Sequence, residues 1–365
     1  MDAPLRLGKK AAILVRNIKA LEDYRKRRVF FDRPPSYLWI EPTNHCNLNC
    51  IMCPSGAGLV HADRGFMDFS LFKKIVDEIH PSTSAIILAI GGESLLHPSL
   101  FRMIRYAASR RIKVSLNTNA TLLDRKRAEG LLDSGLSYVS FAFDGFNKAM
   151  YEKARRGADF DKTLQNILGF LHLKKERRLK KPYAVLSLLD LGIGTYTSDE
   201  KETFLKKFED LVDDIHFREA NSWGSLLKDR RDFKFKIFKG KTVPCGRLWS
   251  SLCIAWNGDV MPCTYNMNHD YVVGNVGDAS VAELWNSPRL ISLRRAMMEG
   301  TSLDLSPVCE NCTVAGSPKI LGIPAGLRAS LADSLSNFFG YGFEKKAVRL
   351  ANLIRRGRFS ARPAR

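Results

Sequence analysis

The stretch Asn44-His45-Cys46-Asn47-Leu48-Asn49-Cys50-Ile51-Met52-Cys53-Pro54 sets three cysteines in a CxxxCxxC spacing. Three thiolates on so short a loop suit three irons of a four-iron, four-sulfur (4Fe-4S) cluster, which ordinarily takes four thiolates. The fourth iron then has no ligand from the loop. An open position on a metal is where a substrate or cofactor binds, the feature that separates catalytic from structural zinc sites. Cysteines at C-x2-C spacing also occur as half of a zinc site, which wants a second ligand pair; His45 is the one extra candidate nearby. A disulfide would need a secreted chain. The early apolar run over residues 11–15 is short for a signal peptide and has charges on both sides.

From residue 37 to about residue 220, short apolar runs alternate with longer amphipathic stretches, the pattern of repeated βα units. The pattern predicts strands over 37–41, 85–90, 112–117, 138–143, 183–190 and 214–219. One helix between them carries Leu71, Phe72, Ile75, Val76 and Ile79 behind a capping Ser70. Another starts near Pro98 and carries Leu100, Met103, Ile104 and Ala107. Six parallel βα units suit a barrel or partial barrel whose chemistry sits in the loops after the strands. The expected fold class is α/β: a partial (β/α)6 TIM-like barrel over 36–235, then a small C-terminal α+β auxiliary domain over 240–320. The cysteine loop follows the first strand and so lies on the loop face of the barrel.

The cysteine spacing and its neighbours resemble the cluster loop of the radical S-adenosylmethionine (radical SAM) enzymes. The resemblance covers roughly half the chain. In that family the open iron chelates the amino and carboxylate groups of SAM, and an electron from the cluster cleaves the sulfonium to a 5′-deoxyadenosyl radical. For this chain the resemblance implies hydrogen-atom abstraction from a substrate, with Cys46, Cys50 and Cys53 as cluster ligands. Gly91-Gly92-Glu93 is similar to the family segment that holds the methionine amino group, and glycines let backbone approach a ligand closely. Asn117-Thr118-Asn119-Ala120 is similar to the family's Thr-Asn-Gly segment, with Ala120 in place of the usual glycine, and implies a role for Asn119. Ser140-Phe141-Ala142-Phe143-Asp144-Gly145 resembles the segment whose serine and aspartate contact the SAM ribose. Tyr151-Glu152-Lys153-Ala154-Arg155 resembles the segment whose arginine pairs with the SAM carboxylate. A guanidinium fork suits that partner, and Arg156 is the rival of Arg155. Met52 either packs on the adenine or fills the core of its own loop.

Five cysteines remain: Cys245, Cys253, Cys263, Cys309 and Cys312. Cys245-Gly246-Arg247-Leu248-Trp249 and, later, Asn257-Gly258-Asp259-Val260-Met261-Pro262-Cys263 read as two strands joined by an Asn-Gly-Asp hairpin turn. Gly274-Asn275-Val276, a helix with Glu283-Leu284-Trp285-Asn286, and Cys309-Glu310-Asn311-Cys312 follow. This order resembles the auxiliary-cluster domain of the SPASM and twitch subgroups of radical SAM enzymes. No cysteine follows Cys312, where a full SPASM domain would continue. The resemblance therefore implies one auxiliary 4Fe-4S cluster, saturated by Cys245, Cys263, Cys309 and Cys312. Cys253 alternates with apolar residues, where a cysteine is most often a small buried hydrophobe; it could replace Cys245 as a ligand or serve as a hydrogen donor in an epimerisation. A four-thiolate zinc site is the other reading of this set. A saturated cluster cannot chelate substrate, so its implied role is electron acceptor.

Composition bounds the partners. The chain has 365 residues, 45% of them apolar, enough for two domains with real cores. The formal net charge is +19 and sits mostly in patches. Residues 1–30 hold nine Lys and Arg against three acids, the run KKERRLKK at 174–181 six against one, and residues 321–365 nine against two. Both flanks, a basic N-terminal extension over 1–35 and a basic tail over 321–365, read as amphipathic helices. Leu14, Ile18 and Leu21 share one face near the start; Phe343, Ala347, Leu350 and Ile354 line up near the end. Such helices lie on anionic membrane surfaces, or else dock their apolar faces on the barrel. Nothing approaches the about 20 apolar residues of a transmembrane span. Nucleic acid is disfavoured, because no aromatic-basic binding module accompanies the charge.

These features point to an acidic or membrane-associated substrate and to peripheral contact with an anionic membrane. Peptide modifiers of the family often carry a winged-helix domain before the barrel, and the 36 residues ahead of the first strand leave no space for one. Reduced cysteines and oxygen-labile clusters imply a reducing cytoplasm, at the inner membrane surface where the flanks bind it. A reducing electron donor such as a flavodoxin or ferredoxin is the implied partner. Two readings from other classes stand beside the enzyme: an iron–sulfur scaffold or electron carrier without SAM cleavage, and a zinc-stapled surface-binding adaptor.

Overall fold

One strand, β1 (Tyr37–Ile40), takes a parallel neighbour on each of its edges, and the molecule is arranged around it. The computed structural model describes residues 7–309 apart from 81, 84, 225 and 236–243; beyond 309 it describes only 312, 314, 322–324, 327, 328 and 331. In chain order these form α1 (Leu7–Arg25), β1, α2 (Phe69–Ile79), β2 (Ala85–Leu88), α3 (Leu100–Ser109), β3 (Lys113–Thr118), α4 (Arg125–Leu132) and β4 (Tyr138–Ala142). Then come α5 (Lys148–Ala154), α6 (Phe160–Glu176), β5 (Tyr183–Asp190), α7 (Ser198–Lys206) and β6 (Asp214–Glu219). The C-terminal part adds β7 (Ser251–Ile254), β8 (Asp259–Met261), β9 (Gly274–Asn275), α8 (Val281–Trp285) and α9 (Pro288–Glu299).

The alternation of apolar residues along the strands decides which face is covered. Leu38, Ile40, Ile86, Leu88, Val114 and Leu116 are fully buried, and their neighbours Tyr37, Trp39 and Ser115 on the other face are half-buried. Phe72, Ile75, Val76 and Ile79 of α2, and Leu100, Met103, Ile104 and Ala107 of α3, repeat at helical spacing and close the covered side. The N-terminus of α2 differs from expectation in one residue. Asp68, not Ser70, is the cap: its carboxylate accepts from the Ser70 N–H at 2.6 Å, and a carboxylate two residues ahead outcompetes a hydroxyl already inside the helix.

The sheet runs β6-β5-β4-β3-β2-β1-β7-β8-β9, parallel from β6 through β7 and antiparallel beyond. It is an open α/β sheet in which β1 to β5 are each followed by an α-helix and, among the described residues, β6 is not, consistent with the partial barrel expected. The C-terminal part does not stand apart from it. Tyr37 pairs with Ser251 and Ile40 with Ile254, so β7 extends the barrel sheet and the boundary near residue 240 crosses no gap in hydrogen bonding. The expected strand at 245–249 is instead a 3-10 turn over Gly246–Trp249, closed by the Leu248 N–H to the Cys245 carbonyl. Gly246 is wedged against Pro324 and Leu327, and ladder pairing begins only at Ser251. The Asn-Gly-Asp turn does join β7 to β8, with Gly258 at φ +91°.

The N-terminal helix docks, but on a face one step round from the one expected. Ile13, Asn17, Ala20 and Tyr24 are buried, Leu14 and Leu21 only half so, and Ile18 is 51% exposed. Tyr24 sets that rotation: its ring meets Trp249 edge-on at 5.4 Å and its hydroxyl donates to the Pro244 carbonyl at 3.0 Å. Of the basic run at 174–181, Lys174 is buried in an ion pair with Asp213 rather than solvated. The amphipathic face of Phe343, Ala347, Leu350 and Ile354 lies outside the described residues. Among the described residues no helix is long and apolar enough to cross a membrane.

Leu252 is wholly buried in β7, beside Leu38. Leu252→Ala is expected to cost about 2–5 kcal/mol. Because one sheet runs through both parts, far-UV circular dichroism and tryptophan fluorescence should still report a single coincident unfolding transition. Two separated transitions would show that the barrel and the C-terminal part unfold independently.

Candidate functional site

The loop after β1 carries Cys46 and Cys53, half-buried, and Cys50, buried. Backbone bonds tie it down at several points: Asn49 and Ile51 donate to the carbonyls of Arg156 and Ala154, and Cys53 donates to Cys50. Gly56 closes the loop where no side chain would fit, since a Cβ there would lie 2.5 Å from the Cys50 nitrogen. Gly92 is the second such crossing, where a Cβ would lie 2.4 Å from the Thr43 carbonyl and 2.5 Å from that of His45. Met52 is buried with Leu48, Ile51, Ala154, Leu191 and Ile193, and so fills the core of its loop. Burial raises all three thiols, Cys50 to about 12. They must shed protons to bind metal, which a site for thiolate-ligated iron requires.

Around this loop the expected residues converge. Glu93 is buried, and its carboxyl accepts from the Thr118 hydroxyl at 2.8 Å, the Leu95 N–H at 3.0 Å and the Asn119 N–H at 2.7 Å. Burial raises its pKa against those bonds. The Asn119 amide donates to Asn47 in the cysteine loop, and Asn47 to Thr121. Ala120 stands at φ +59°, a left-handed position that explains why a glycine is usual there. The Gly91 N–H donates to Glu41, whose second carboxyl oxygen is buried without a partner. Ser140 is buried in β4, opposite Asn117 of β3.

Asp144 and Arg155, assigned by sequence to different parts of one cofactor, are bonded to each other. The Arg155 Nη2 donates to Asp144 Oδ2 at 2.6 Å, both side chains buried, and Nη1 lies 4.0 Å from the Cys50 sulfur. Burial opposes the charge of Arg155, but Asp144 and Cys50 outweigh it and the guanidinium stays charged. Its Nε is buried with no partner, a donor left over for a ligand. Arg156 is exposed and gives the loop only its backbone carbonyl. A cavity of about 290 Å3 opens beside Asp144 at the ends of β4, β5 and β6, lined by Phe146, Leu191, Ile193 and Tyr196 among others. Asp190, Lys201, Arg218 and Glu219 line it as well, so its walls mix apolar and charged groups.

Cys245, Cys263, Cys309 and Cys312 line one cavity, together with Arg247 and Tyr265. Burial raises Cys245 to about 12, and raises Cys263 and Cys309. The Tyr265 N–H donates to the Cys263 sulfur at 3.2 Å. Cys253 is elsewhere, packed with Trp39, Ile90, Ala255 and Met261. Between the two cysteine sets stands Trp223: its indole N–H donates to the Met52 carbonyl at 3.0 Å, and its ring centroid lies 5.2 Å from that of Tyr265. Sequence reasoning did not single out Trp223, Tyr265, Arg247 or Glu41. A lone aromatic in a loop carries no periodic signal, and only spatial contact assigns it.

The profile of the Radical SAM superfamily matches residues 40–176, and that of SPASM, an iron-sulfur cluster-binding domain, matches 245–313. A Pyrococcus furiosus protein, the tungsten-containing aldehyde ferredoxin oxidoreductase cofactor-modifying protein, is 26% identical over 317 residues, 76% of this chain and 87% of that one. The AdoMet-dependent heme synthase of Methanosarcina barkeri is 33% identical over 135 residues, which span 36% of this chain and only 38% of the relative. The structure of Streptococcus suis SuiB bound to precursor peptide SuiA superposes at a TM-score of 0.57 with 14% identity, covering 81% of this chain and 74% of that one, a likeness of fold. Radical SAM domains bind a 4Fe-4S cluster and SAM, and SPASM domains bind additional iron–sulfur clusters.

The Asp144–Arg155 pair is expected to be indispensable to the fold around the first loop. Asp144→Asn leaves a buried guanidinium without its carboxylate and should cost about 3–5 kcal/mol, read by chemical denaturation. A loss below about 1 kcal/mol would mean that Arg155 is solvated after all.

Proposed function

We propose, for a chain that belongs to the radical SAM enzymes and carries a SPASM-type iron–sulfur domain, that it removes a hydrogen atom from a polar, acidic substrate and passes one electron to an auxiliary cluster. Cys46, Cys50 and Cys53 would hold the SAM-binding 4Fe-4S cluster; Cys245, Cys263, Cys309 and Cys312 would hold the second. When bound, the first cluster with SAM supplies one-electron reductive cleavage and the hydrogen-atom abstraction that follows. The observation that carries this reading is the sorting of seven cysteines into two sets, three on the loop after β1 and four round one cavity. A single zinc ion would draw thiolates to about 2.3 Å of one point. Iron content against zinc content in the purified protein separates a cluster from such a site in the second cavity.

The chain's own residues then position and exclude water. Gly91 and Gly92 let the turn after β2 pack against Glu41, Thr43 and His45. Glu93 fixes that turn through its bonds to Thr118 and Asn119, which would hold the segment in place for the methionine amino group. Arg155 offers its spare Nε to the carboxylate of SAM while its Nη1 offsets negative charge beside Cys50. Asp144 and Ser140 would contact the ribose, Asp144 held in place by the Leu189 N–H at 2.9 Å. The half-buried Ser115, Ser187 and His216 place polar groups among Trp39, Ile87 and Tyr138 on the uncovered face of the sheet, which supports a substrate with polar groups. The net charge of +19 favours an acidic substrate and an electron donor such as a flavodoxin or ferredoxin. On α1, Val15 and Ile18 are each 51% exposed on a basic segment, which supports peripheral contact with an anionic membrane.

Protein reconstituted without oxygen should hold about eight irons per chain and release 5′-deoxyadenosine from SAM with dithionite. Cys46→Ala should abolish that release while keeping about four irons. A fully loaded protein that never cleaves SAM, with or without candidate acidic substrates, would leave only the scaffold reading. Sedimentation with phosphatidylglycerol vesicles should deplete the free protein, and Ile18→Asp should reverse this; wild-type protein that stays in the supernatant removes the membrane part.

A further inference from the structure

Each cysteine set has an arginine beside it, but the two arginines differ in what neutralises them. Arg155, near Cys50, is paired with Asp144 at 2.6 Å. Arg247 lines the same cavity as Cys245, Cys263, Cys309 and Cys312 and has no such partner. Its Nη1 donates to the Thr264 hydroxyl at 3.0 Å and its guanidinium carbon sits 5.0 Å from the centre of the Tyr265 ring. Among the described residues it forms no ion pair with a carboxylate, and the ionisable groups round it include Tyr265, Cys263, Tyr37, Cys245 and Cys253. The 3-10 turn after Cys245 fixes its backbone, so the charge is held in place.

We propose that Arg247 is the residue that raises the reduction potential of the auxiliary cluster above that of the SAM-binding cluster, making the auxiliary site the electron acceptor. This rests on the reading above, in which the four cysteines hold a 4Fe-4S cluster. An oxidised four-thiolate cluster is already an anion, and reduction adds another negative charge. A fixed cation in a water-poor cavity therefore stabilises the reduced form more than the oxidised one. At the first site the same charge is cancelled by Asp144, so that cluster keeps the low potential that SAM cleavage demands. A cluster held by Cys245, Cys263, Cys309 and Cys312 beside Arg247 would then supply the acceptor for the one electron that the substrate radical loses, to be returned to the external carrier.

The test uses the full chain with Cys46, Cys50 and Cys53 all changed to alanine, so that only the auxiliary cluster gives a paramagnetic signal. Redox titration followed by electron paramagnetic resonance should give a more negative midpoint for Arg247→Gln, and a midpoint close to the parent for Arg247→Lys. An unchanged midpoint in Arg247→Gln with full iron overturns the proposal. So does an equal shift in both variants, which would make packing rather than charge the cause. A second comparison needs no change at Arg247: the parent's midpoint should lie above that of the first cluster, measured with Cys263, Cys309 and Cys312 changed to alanine. The reverse order overturns the proposal even if Arg247→Gln fails to bind iron. Zinc in place of iron in the parent is a different failure, since it removes the acceptor reading on which the proposal stands.

Discussion

The two-sided pairing of β1 is the constraint on which the rest depends. A four-residue strand hydrogen-bonded to β2 on one edge and β7 on the other cannot shift register without breaking both ladders. The residue that follows it extends this hold: the Glu41 N–H donates to the Ile254 carbonyl, and the Glu41 side chain takes the Gly91 N–H at the end of β2. The first cysteine loop leaves β1 a few residues later, and the hairpin that reaches Cys263 leaves β7. The first set and Cys263 are therefore hung from neighbouring strands of one sheet, while Cys245 precedes β7 and Cys309 and Cys312 come in after α9. The spacing of the loop and the hairpin is set by the sheet, not by a linker.

Electrostatics divides labour between the two ends of that arrangement. Thiols raised by burial are stable as neutral groups until a metal takes their protons. Burial raises Cys46, Cys50 and Cys53 in the first set and Cys245, Cys263 and Cys309 in the second, so negative charge grows in each set on loading. An arginine already in place meets that charge on each side, Arg155 buried and Arg247 half-buried. The first arginine is compensated by Asp144 and tied to the sheet through it, since the other Asp144 oxygen accepts from Leu189 in β5. The second leans on an aromatic ring and a hydroxyl. A pair with its own counter-ion adds little net field, whereas a lone cation adds its full charge.

Much of this was legible in sequence, and the reasons differ by element. The strands β5 and β6 fall on the residues expected, and the others within two residues, because alternating burial writes itself into apolar spacing. The motif residues at the strand ends were legible because chemistry fixes their type. The polarity of α1 was not: Leu14, Ile18 and Leu21 make as good a face as Ile13, Ala20 and Tyr24, and only the contact of Tyr24 with Trp249 chooses between them. The turn at 246–249 was missed for a related reason. Its residues have no turn signature beyond Gly246, and what bends them is packing against Pro324 and Leu327, far along the chain. The bond between Asp144 and Arg155 lies one step further out, since two motifs matched separately do not reveal that they touch.

The bridge from Met52 through Trp223 to Tyr265 also narrows where a substrate can lie. Trp223 packs with both cysteine sets, and the next residue, Gly224, is pressed so closely on Val308 that a Cβ would lie 2.2 Å from its carbonyl. That side of the gap between the two sites is filled by protein. The remaining approach is the uncovered face of the sheet, where Ser115 of β3 and Ser187 and His216 of β5 and β6 are only half-buried.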